Sequence, residues 1–313
     1  MSMFPEHYFL VPKQTGDFLL GIAVTVTVAA MYKIYRFFQE PSIGYMEARA
    51  SAPMPEKSGD DSTITIFGFD TAGAHSASSR GVLDASPFVM YVEIYCRMMG
   101  EPYTKIGAFP AESRFRPRNK LPVANVCGMM LDDSRKIIDE IRKHAGNNDM
   151  DADLDDEQRA MARLVGNTLS QSLFWCMLYN KFDTNRGRNV FRRQLSEQKI
   201  PRPLRPIISA MAFRQMHAQL MGHGIARYSC AQVLERARDD IATVSQILGS
   251  KPFILGDQPS STDALLYAML VLVFEDRELQ VDLTSTKYVY PNLAAYVERM
   301  RKRYVPELDK KEL

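Results

Sequence analysis

Cysteine is scarce in this 313-residue chain, and no two cysteines stand close together. The four are Cys96, Cys127, Cys176 and Cys230. Because zinc sites and dithiol redox sites commonly use C-x-x-C pairs, this spacing disfavours both. It also excludes a disulfide-dense secreted domain. No asparagine stands in an N-x-Ser/Thr context, which favours the cytosolic side of a membrane.

A strong overall charge is lacking too. The formal net charge is +2 and no nucleic-acid-binding motif is present, so we exclude nucleic acid as a partner. The histidines show no metal-ligand spacing, and we predict no metal site. With 46% hydrophobic and 24% charged residues, the composition is that of a globular protein, and the length predicts two domains.

A full-length membrane span is missing, but a marginal one is present. Residues 18–32 form an uncharged run of about 15 residues, against the roughly 20 that cross a bilayer comfortably. Lys33 and Arg36 follow the run, and their long side chains can reach the interface and lengthen the effective stretch. We interpret residues 18–38 as a transmembrane anchor; a cleaved signal peptide and a helix lying against the interface are the alternatives. Positive charge after the run places the C-terminal part in the cytosol.

The remaining chain divides into a mixed half and a helical half. A β-branched run begins at Ile64 and predicts a strand, Ser86-Pro87 suits a helix start, and Gly128 predicts the turn of a hairpin. Beyond Asp155 only helical patterns follow. The predicted parts are a tail at 1–17, an anchor at 18–38, a linker at 39–62, an α/β domain at 63–146, an acidic linker at 147–154, an all-α domain at 155–308 and a tail at 309–313.

Two stretches resemble a known family. Residues 86–103, SPFVMYVEIYCRMMGEPY, are similar to the S-P-F-C-x-K-x-E-x-x-L-R-M-x-G-x-P-Y signature of the failed-axon-connections family. This is a metaxin-like branch of the glutathione S-transferase-like superfamily that includes cadmium-responsive nematode relatives. Residues 256–264, GDQPSSTDA, resemble the G-D-x-P-S/T-x-x-D segment of the transferases' helical domain. The resemblance implies a glutathione-transferase fold: an α/β thioredoxin-like N-terminal domain and an all-α C-terminal domain, preceded here by the predicted transmembrane helix.

The same resemblance implies a site for glutathione as a ligand or cosubstrate. Leu121-Pro122 would supply a cis-proline turn that presents strand backbone to an extended peptide. Asp133-Ser134 would grip the γ-glutamyl end, because helix N–H groups favour a carboxylate. Ser86 stands where the family places its thiol-activating Ser or Cys, and is our candidate catalytic residue. Helix capping alone, and an ordinary X-Pro bond, are the alternatives.

One position departs from the family pattern. Val89 replaces the relatives' Cys, so cysteine-based exchange between these positions is not available. This departure makes turnover a weaker expectation than binding, and whether the protein is an enzyme stays open. Ser260 and Asp263 form an S-x-x-D box before an apolar helix, and we assign them a structural capping role.

Two charged runs complete the pattern. The acidic run at 149–156 fails as a calcium loop, because Leu154 and Ala160 replace the required Gly and Glu. It is better explained as a linker whose charge favours the next helix's N-terminus. Residues 186–206 form a basic segment with prolines, which we interpret as turn-rich. Solvated loop charge and contact with anionic lipid are both open for it.

The resemblance implies a membrane-tethered binding or adaptor module with a role in axonal development or metal-stress response. A glutathione transferase with a Ser-type thiol site is the first alternative, and a component of a mitochondrial outer-membrane assembly is the second. Expected partners are the membrane, glutathione, and a protein partner or second copy of the chain.

Overall fold

The structure, a computed structural model, describes residues 64–69, 82–107, 120–145, 149–197, 202–276 and 280–308. The predicted anchor at 18–38, its linker and both tails lie outside these residues. Within the described ranges, no helix is both long and apolar enough to cross a membrane.

A four-stranded sheet forms the first half, in the order β2-β1-β3-β4. Its strands are β1 (Ile64–Gly68), β2 (Tyr103–Gly107), β3 (Val123–Val126) and β4 (Met129–Asp132). β1 runs parallel to β2 and antiparallel to β3, and β3 and β4 form the predicted hairpin. Ile64 and Ile66 on alternate positions of β1 are buried, which fixes the face that the strand turns to the core.

Two helices cover this sheet. α1 (Pro87–Met99) begins with proline at its first position and ends at Gly100, whose φ of 74° is favourable for glycine. α1 is buried on most sides because it packs between the sheet and the helical half. α2 (Ser134–His144) buries one stripe, through Ile137, Ile138 and Ile141.

The second half is helical, so the predicted order of an α/β half and an all-α half is confirmed. Its helices are α3 (Asp156–Asn167), α4 (Phe174–Phe182), α5 (Asn185–Glu197), α6 (Arg205–His223), α7 (Cys230–Leu248), α8 (Ser261–Glu275), α9 (Val281–Thr284), α10 (Thr286–Val289) and α11 (Pro291–Tyr304). A π-helical segment, Thr168–Leu173, joins α3 to α4. α8 is apolar nearly all round and is the central helix of the core.

The basic segment is helical where we predicted turns, and that interpretation is wrong for α5. Val190 and Leu195 are buried, and Phe191 contacts aromatic rings of α4 and α6, which hold the helix to its neighbours. Gly187 permits the close approach, because a Cβ there would lie 1.9 Å from the carbonyl oxygen of Asn180. The prolines of the segment all follow α5 in the sequence, so they do not interrupt it.

The acidic linker connects the two halves. Asp151 accepts hydrogen bonds from the backbone N–H of Ser261 (2.9 Å) and from its hydroxyl (2.5 Å), at the start of α8. Arg142 of α2 donates to the same carboxylate at 2.7 Å. Asp155 caps α3 as expected, but the contact of Asp151 with a helix 110 residues away was not predicted.

Candidate functional site

Two of the predicted site positions, Pro122 and Asp133, meet at one end of the sheet. In the strand register Phe67 lies opposite Val123, and Val123 lies opposite Asp132. The end of β1, Pro122 before β3 and Asp133 after β4 are therefore neighbours, since adjacent strands are about 4.8 Å apart. The sequence named these positions, but only the strand order brings them together.

Asp84 brings Ser86 to the same end. Its fully buried carboxylate accepts hydrogen bonds from the N–H of Phe69, which follows β1, at 3.0 Å and from the N–H of Ser86 at 2.7 Å. Ser86 is the N-cap residue of α1, and its hydroxyl accepts from Val89 N at 3.4 Å. Val89 stands where the relatives have Cys, so this position carries no thiol, and its side chain is buried.

The Leu121–Pro122 peptide bond is cis. Pro122 is buried, whereas the preceding Lys120 is exposed and bonds to Gln219 of α6. The helical half therefore reaches the residue that precedes this turn. The ligand-binding role of Leu121 and Pro122 stays a prediction.

Asp133 and Ser134 open α2 in an unusual backbone conformation. Asp133 has φ 83°, which a non-glycine residue adopts rarely, and its carboxylate accepts from Arg135 N at 3.0 Å. Ser134 is the first helical residue and is partly exposed, so its N–H belongs to the first turn, where no helical carbonyl can pair with it. Arg135 and Lys136 follow, both exposed. This helix start can hold a carboxylate.

A buried charge cluster that the sequence analysis missed lies behind Ser86. Lys105 Nζ lies 2.9 Å from Asp84 and 3.1 Å from Glu93, and it donates to the carbonyl of Leu83 at 2.7 Å. Burial raises the pKa of Glu93 to about 7, while Lys105 opposes that rise. Burial also raises the pKa of Asp84. The sequence features that could have revealed this cluster are a lysine in a strand and a glutamate on an otherwise apolar helix.

Aromatic side chains from both halves lie beside the start of α1. Phe88 contacts Phe174 edge to face at 4.7 Å, and Trp175 stacks on His223 at 4.2 Å. His223 Nε2 is 3.1 Å from the carbonyl oxygen of Gln171 in the π-helical segment. Phe174 and Trp175 pack against the core but are both partly exposed. With Phe88, which is two residues after Ser86, they form an apolar wall beside the start of α1.

Comparison with known proteins points to one family. The glutathione S-transferase N-terminal domain family matches residues 87–189, and the C-terminal domain family matches residues 237–300. Failed axon connections of Drosophila melanogaster is 27% identical over 72% of this chain and 55% of its own length. Metaxin-2 of Mus musculus is 23% identical over 70% of this chain and 82% of its own length. Together these matches support the metaxin-like, glutathione S-transferase-like family that includes failed axon connections.

An enzyme is also among the relatives of this metaxin-like chain. Isoprene-epoxide–glutathione S-transferase of Rhodococcus sp. strain AD45 is 29% identical over 77% of this chain and 99% of its own length. Among solved structures, beta-etherase LigF from Sphingobium sp. strain SYK-6 superposes with a TM-score of 0.52 at 14% identity, covering 80% of this chain and all of that one. A glutathione S-transferase from Methylobacterium radiotolerans, in complex with glutathione sulfonate, gives 0.50 at 17% identity, covering 80% and 94%. These structures establish the fold.

The capping pair of this metaxin-like chain lies away from the sheet end. Asp263 is fully buried and accepts hydrogen bonds from Ser260 N and Oγ, both at 2.8 Å, from Ile254 N at 2.9 Å and from Tyr296 Oη at 3.0 Å. Burial raises the pKa of Asp263. With every contact made to protein groups, this pair organises the start of α8.

A shallow basic depression on α11 is also remote from the sheet end. Its lining residues are Ala295, Glu298, Arg299, Lys302 and Arg303. α11 approaches the other end of α1, where Arg97 donates to the carbonyl of Tyr304 at 3.1 Å. The depression is therefore separate from Ser86 and its neighbours.

Proposed function

We propose that this protein binds glutathione, or another peptide with a γ-glutamyl end, at the sheet end, and that it acts as a membrane-tethered binding module. The observation that carries the proposal is the position of two helix starts, at Ser86 and Ser134, on either side of Pro122. One start suits a carboxylate and the other a thiolate, since both are stabilised by N–H groups and the helix dipole.

The spacing suits a tripeptide. The ends of β1 and β4 are separated by two strand spacings, or roughly 10 Å. An extended tripeptide spans roughly 10 Å as well. In this arrangement the γ-glutamyl carboxylate lies at Ser134 and the cysteinyl sulfur approaches Ser86, with the peptide passing Pro122.

Calorimetric titration of the full chain in a neutral detergent tests the proposal. Glutathione is expected to bind with a millimolar or tighter dissociation constant. S-methylglutathione keeps the γ-glutamyl end and should bind too, whereas cysteinylglycine lacks that end and should not. Equal binding of all three would contradict the orientation, and no binding of glutathione would remove the proposal.

A second candidate function is glutathione conjugation. The apolar wall of Phe88, Phe174 and Trp175 favours it, because a second, apolar substrate would need such a surface beside the sulfur. The similarity to an isoprene-epoxide–glutathione S-transferase over nearly that enzyme's whole length points the same way. With a small epoxide, the sulfur would bond to a ring carbon as its C–O bond breaks. The thiol proton would go to solvent, and the alkoxide would take a proton from water.

Mass spectrometry of the conjugate tests this candidate against the uncatalysed reaction. A rate above background that depends on Ser86 would support conjugation. A background rate, with glutathione bound, would leave the binding module as the function.

Tethering rests on the uncharged run at 18–32 and the positive charge that follows it. The proposed arrangement is one membrane pass with the described domains in the cytosol. Roles in axonal development or metal stress, or in a mitochondrial outer-membrane assembly with a protein partner, extend the proposal through the family. Alkaline carbonate should leave the full chain in the membrane, and extraction would refute an integral anchor.

A further inference from the structure

Positive charge is concentrated in one segment of this nearly neutral chain. Residues 185–214 contain eight arginine or lysine residues and one glutamate, although the net charge of the whole chain is only +2. The segment includes α5 and the first half of α6. Such local concentration sets up a field that the whole-chain charge does not reveal.

The structure divides the arginines of α5 between its two sides. Arg188 turns inward, donating to the carbonyl of Phe182 at 2.9 Å and to Asp183 at 2.9 Å. Arg186, Arg192 and Arg193 are exposed. Around the helix they flank the buried residues, and the guanidinium of Arg192 lies over the Phe213 ring of α6 at 5.1 Å from its centroid.

Polar, uncharged residues fill the rest of this exposed side. Asn189 and Ser196 lie among the arginines, and the only acidic residue of α5 is its last, Glu197. Arg186 has one acidic neighbour, Asp282, at 3.0 Å. Both of those side chains are about half exposed, so the pair neutralises part of the charge without removing it from water.

Two more arginines follow α5 in the sequence, just before and at the start of α6, the helix that packs against α5. Arg202 is exposed, Arg205 is partly exposed, and Ile207 beside them is an exposed apolar residue. We define the arginine face as Arg186, Arg192, Arg193, Arg202 and Arg205. A guanidinium presents several donors to phosphate oxygens, so a face built from arginine suits a surface of phosphate groups.

We propose that the arginine face docks the folded domains on an anionic lipid surface. The proposal extends the membrane tether of the proposed function, because an anchored domain meets that surface at high local concentration. Each basic residue near an anionic surface contributes about fivefold in partitioning.

The test uses the full chain in vesicles of phosphatidylcholine that all carry a trace of photoactivatable phosphatidylserine. The vesicles are made with or without about 30 mol% phosphatidylserine. Cross-linked peptides are identified by mass spectrometry. Cross-links to residues 185–205 are expected in anionic vesicles, and they should fall at least roughly tenfold in about 0.5 M salt, which screens exposed charges.

Three variants separate charge from fold. R186Q/R192Q/R193Q should lose these cross-links at least roughly tenfold. R186K/R192K/R193K keeps the charge and should retain most of them. R163Q/R227Q/K302Q removes the same charge from three other elements and should behave as the unsubstituted chain.

Unchanged cross-links in the glutamine variant would overturn the docking face. The docking face would also be overturned if polyglutamate or RNA protected α5 and no lipid cross-links formed. Either result would assign a different partner to this surface. If carbonate extraction refutes the anchor, flotation of the full chain with anionic but not neutral vesicles would still support the face. Flotation with neither would overturn it.

Discussion

Replacing Asp151 by alanine tests how the two halves of the protein are joined. The substitution removes the acceptor of two hydrogen bonds from Ser261 and one from Arg142. Arg142 keeps Asp149 at 2.9 Å, so its charge is not left alone, but the Ser261 N–H loses the partner at the start of α8. Because the Asp151 side chain is 14% exposed, water replaces it poorly. We expect a loss of about 3 kcal/mol of unfolding free energy.

Thermal unfolding of the full chain in a neutral detergent, followed by circular dichroism, measures this loss. A change of about 3 kcal/mol corresponds to a fall of about 6–12 °C in Tm for a folded unit of this size. Asp153→Ala is the matched control, because Asp153 is an exposed residue of the same acidic run, and it should change stability by less than about 0.5 kcal/mol. Equal effects of the two substitutions would refute the inference that Asp151 joins the halves.

Five other substitutions give three further tests. The raised pKa of Glu93 means that the folded state holds the proton of this carboxyl more tightly, so its contribution to stability is complete below pH 4.5 and is lost as pH rises to about 7. E93Q should flatten the fall in unfolding free energy over this pH range in a series of denaturation curves. An unchanged slope would assign the pH dependence to other groups. G187A should cost about 3 kcal/mol or more through its backbone clash, whereas G222A, with open space in α6, should be neutral or stabilise by up to about 1 kcal/mol in the same melts. S134A should weaken glutathione binding about tenfold by calorimetry, and S86A should change it less than about twofold while raising the pKa of the bound thiol, seen in its thiolate absorbance; equal effects would reject the assigned orientation.

Local chemistry explains why much of the fold could be predicted. The helix start at Pro87, the turn at Gly128 and the capping sequence at Ser260 each depend on residues within a few positions. α5 was missed because four of its residues are arginines and only a few apolar residues mark its inner side. A composition rich in arginine and proline therefore indicated turns although the helical spacing was present.

The candidate site could be predicted from the sequence only in part, for a different reason. Ser86, Pro122 and Asp133 were named through the family resemblance, but their common location follows from the strand order β2-β1-β3-β4. The contacts of Lys105 with Asp84 and Glu93 join residues 21 and 12 positions away, as numbered in the chain. No local pattern pairs such groups, because tertiary packing chooses the partners of buried charges.

The geometry at Ser86 explains why binding is a less demanding role than turnover. Its hydroxyl oxygen accepts from Val89 N, which leaves the hydroxyl hydrogen to be donated to a sulfur anion. The nearby carboxylate of Asp84 already accepts from Phe69 N, Ser86 N and Lys105, so it serves to hold the backbone instead of taking the thiol proton. In the proposed complex, activation of the bound thiol would therefore depend on one hydroxyl and the dipole of α1, whereas binding would also draw on the separate carboxylate contact at Ser134. A chain that lost the first contribution would still hold the peptide through the second.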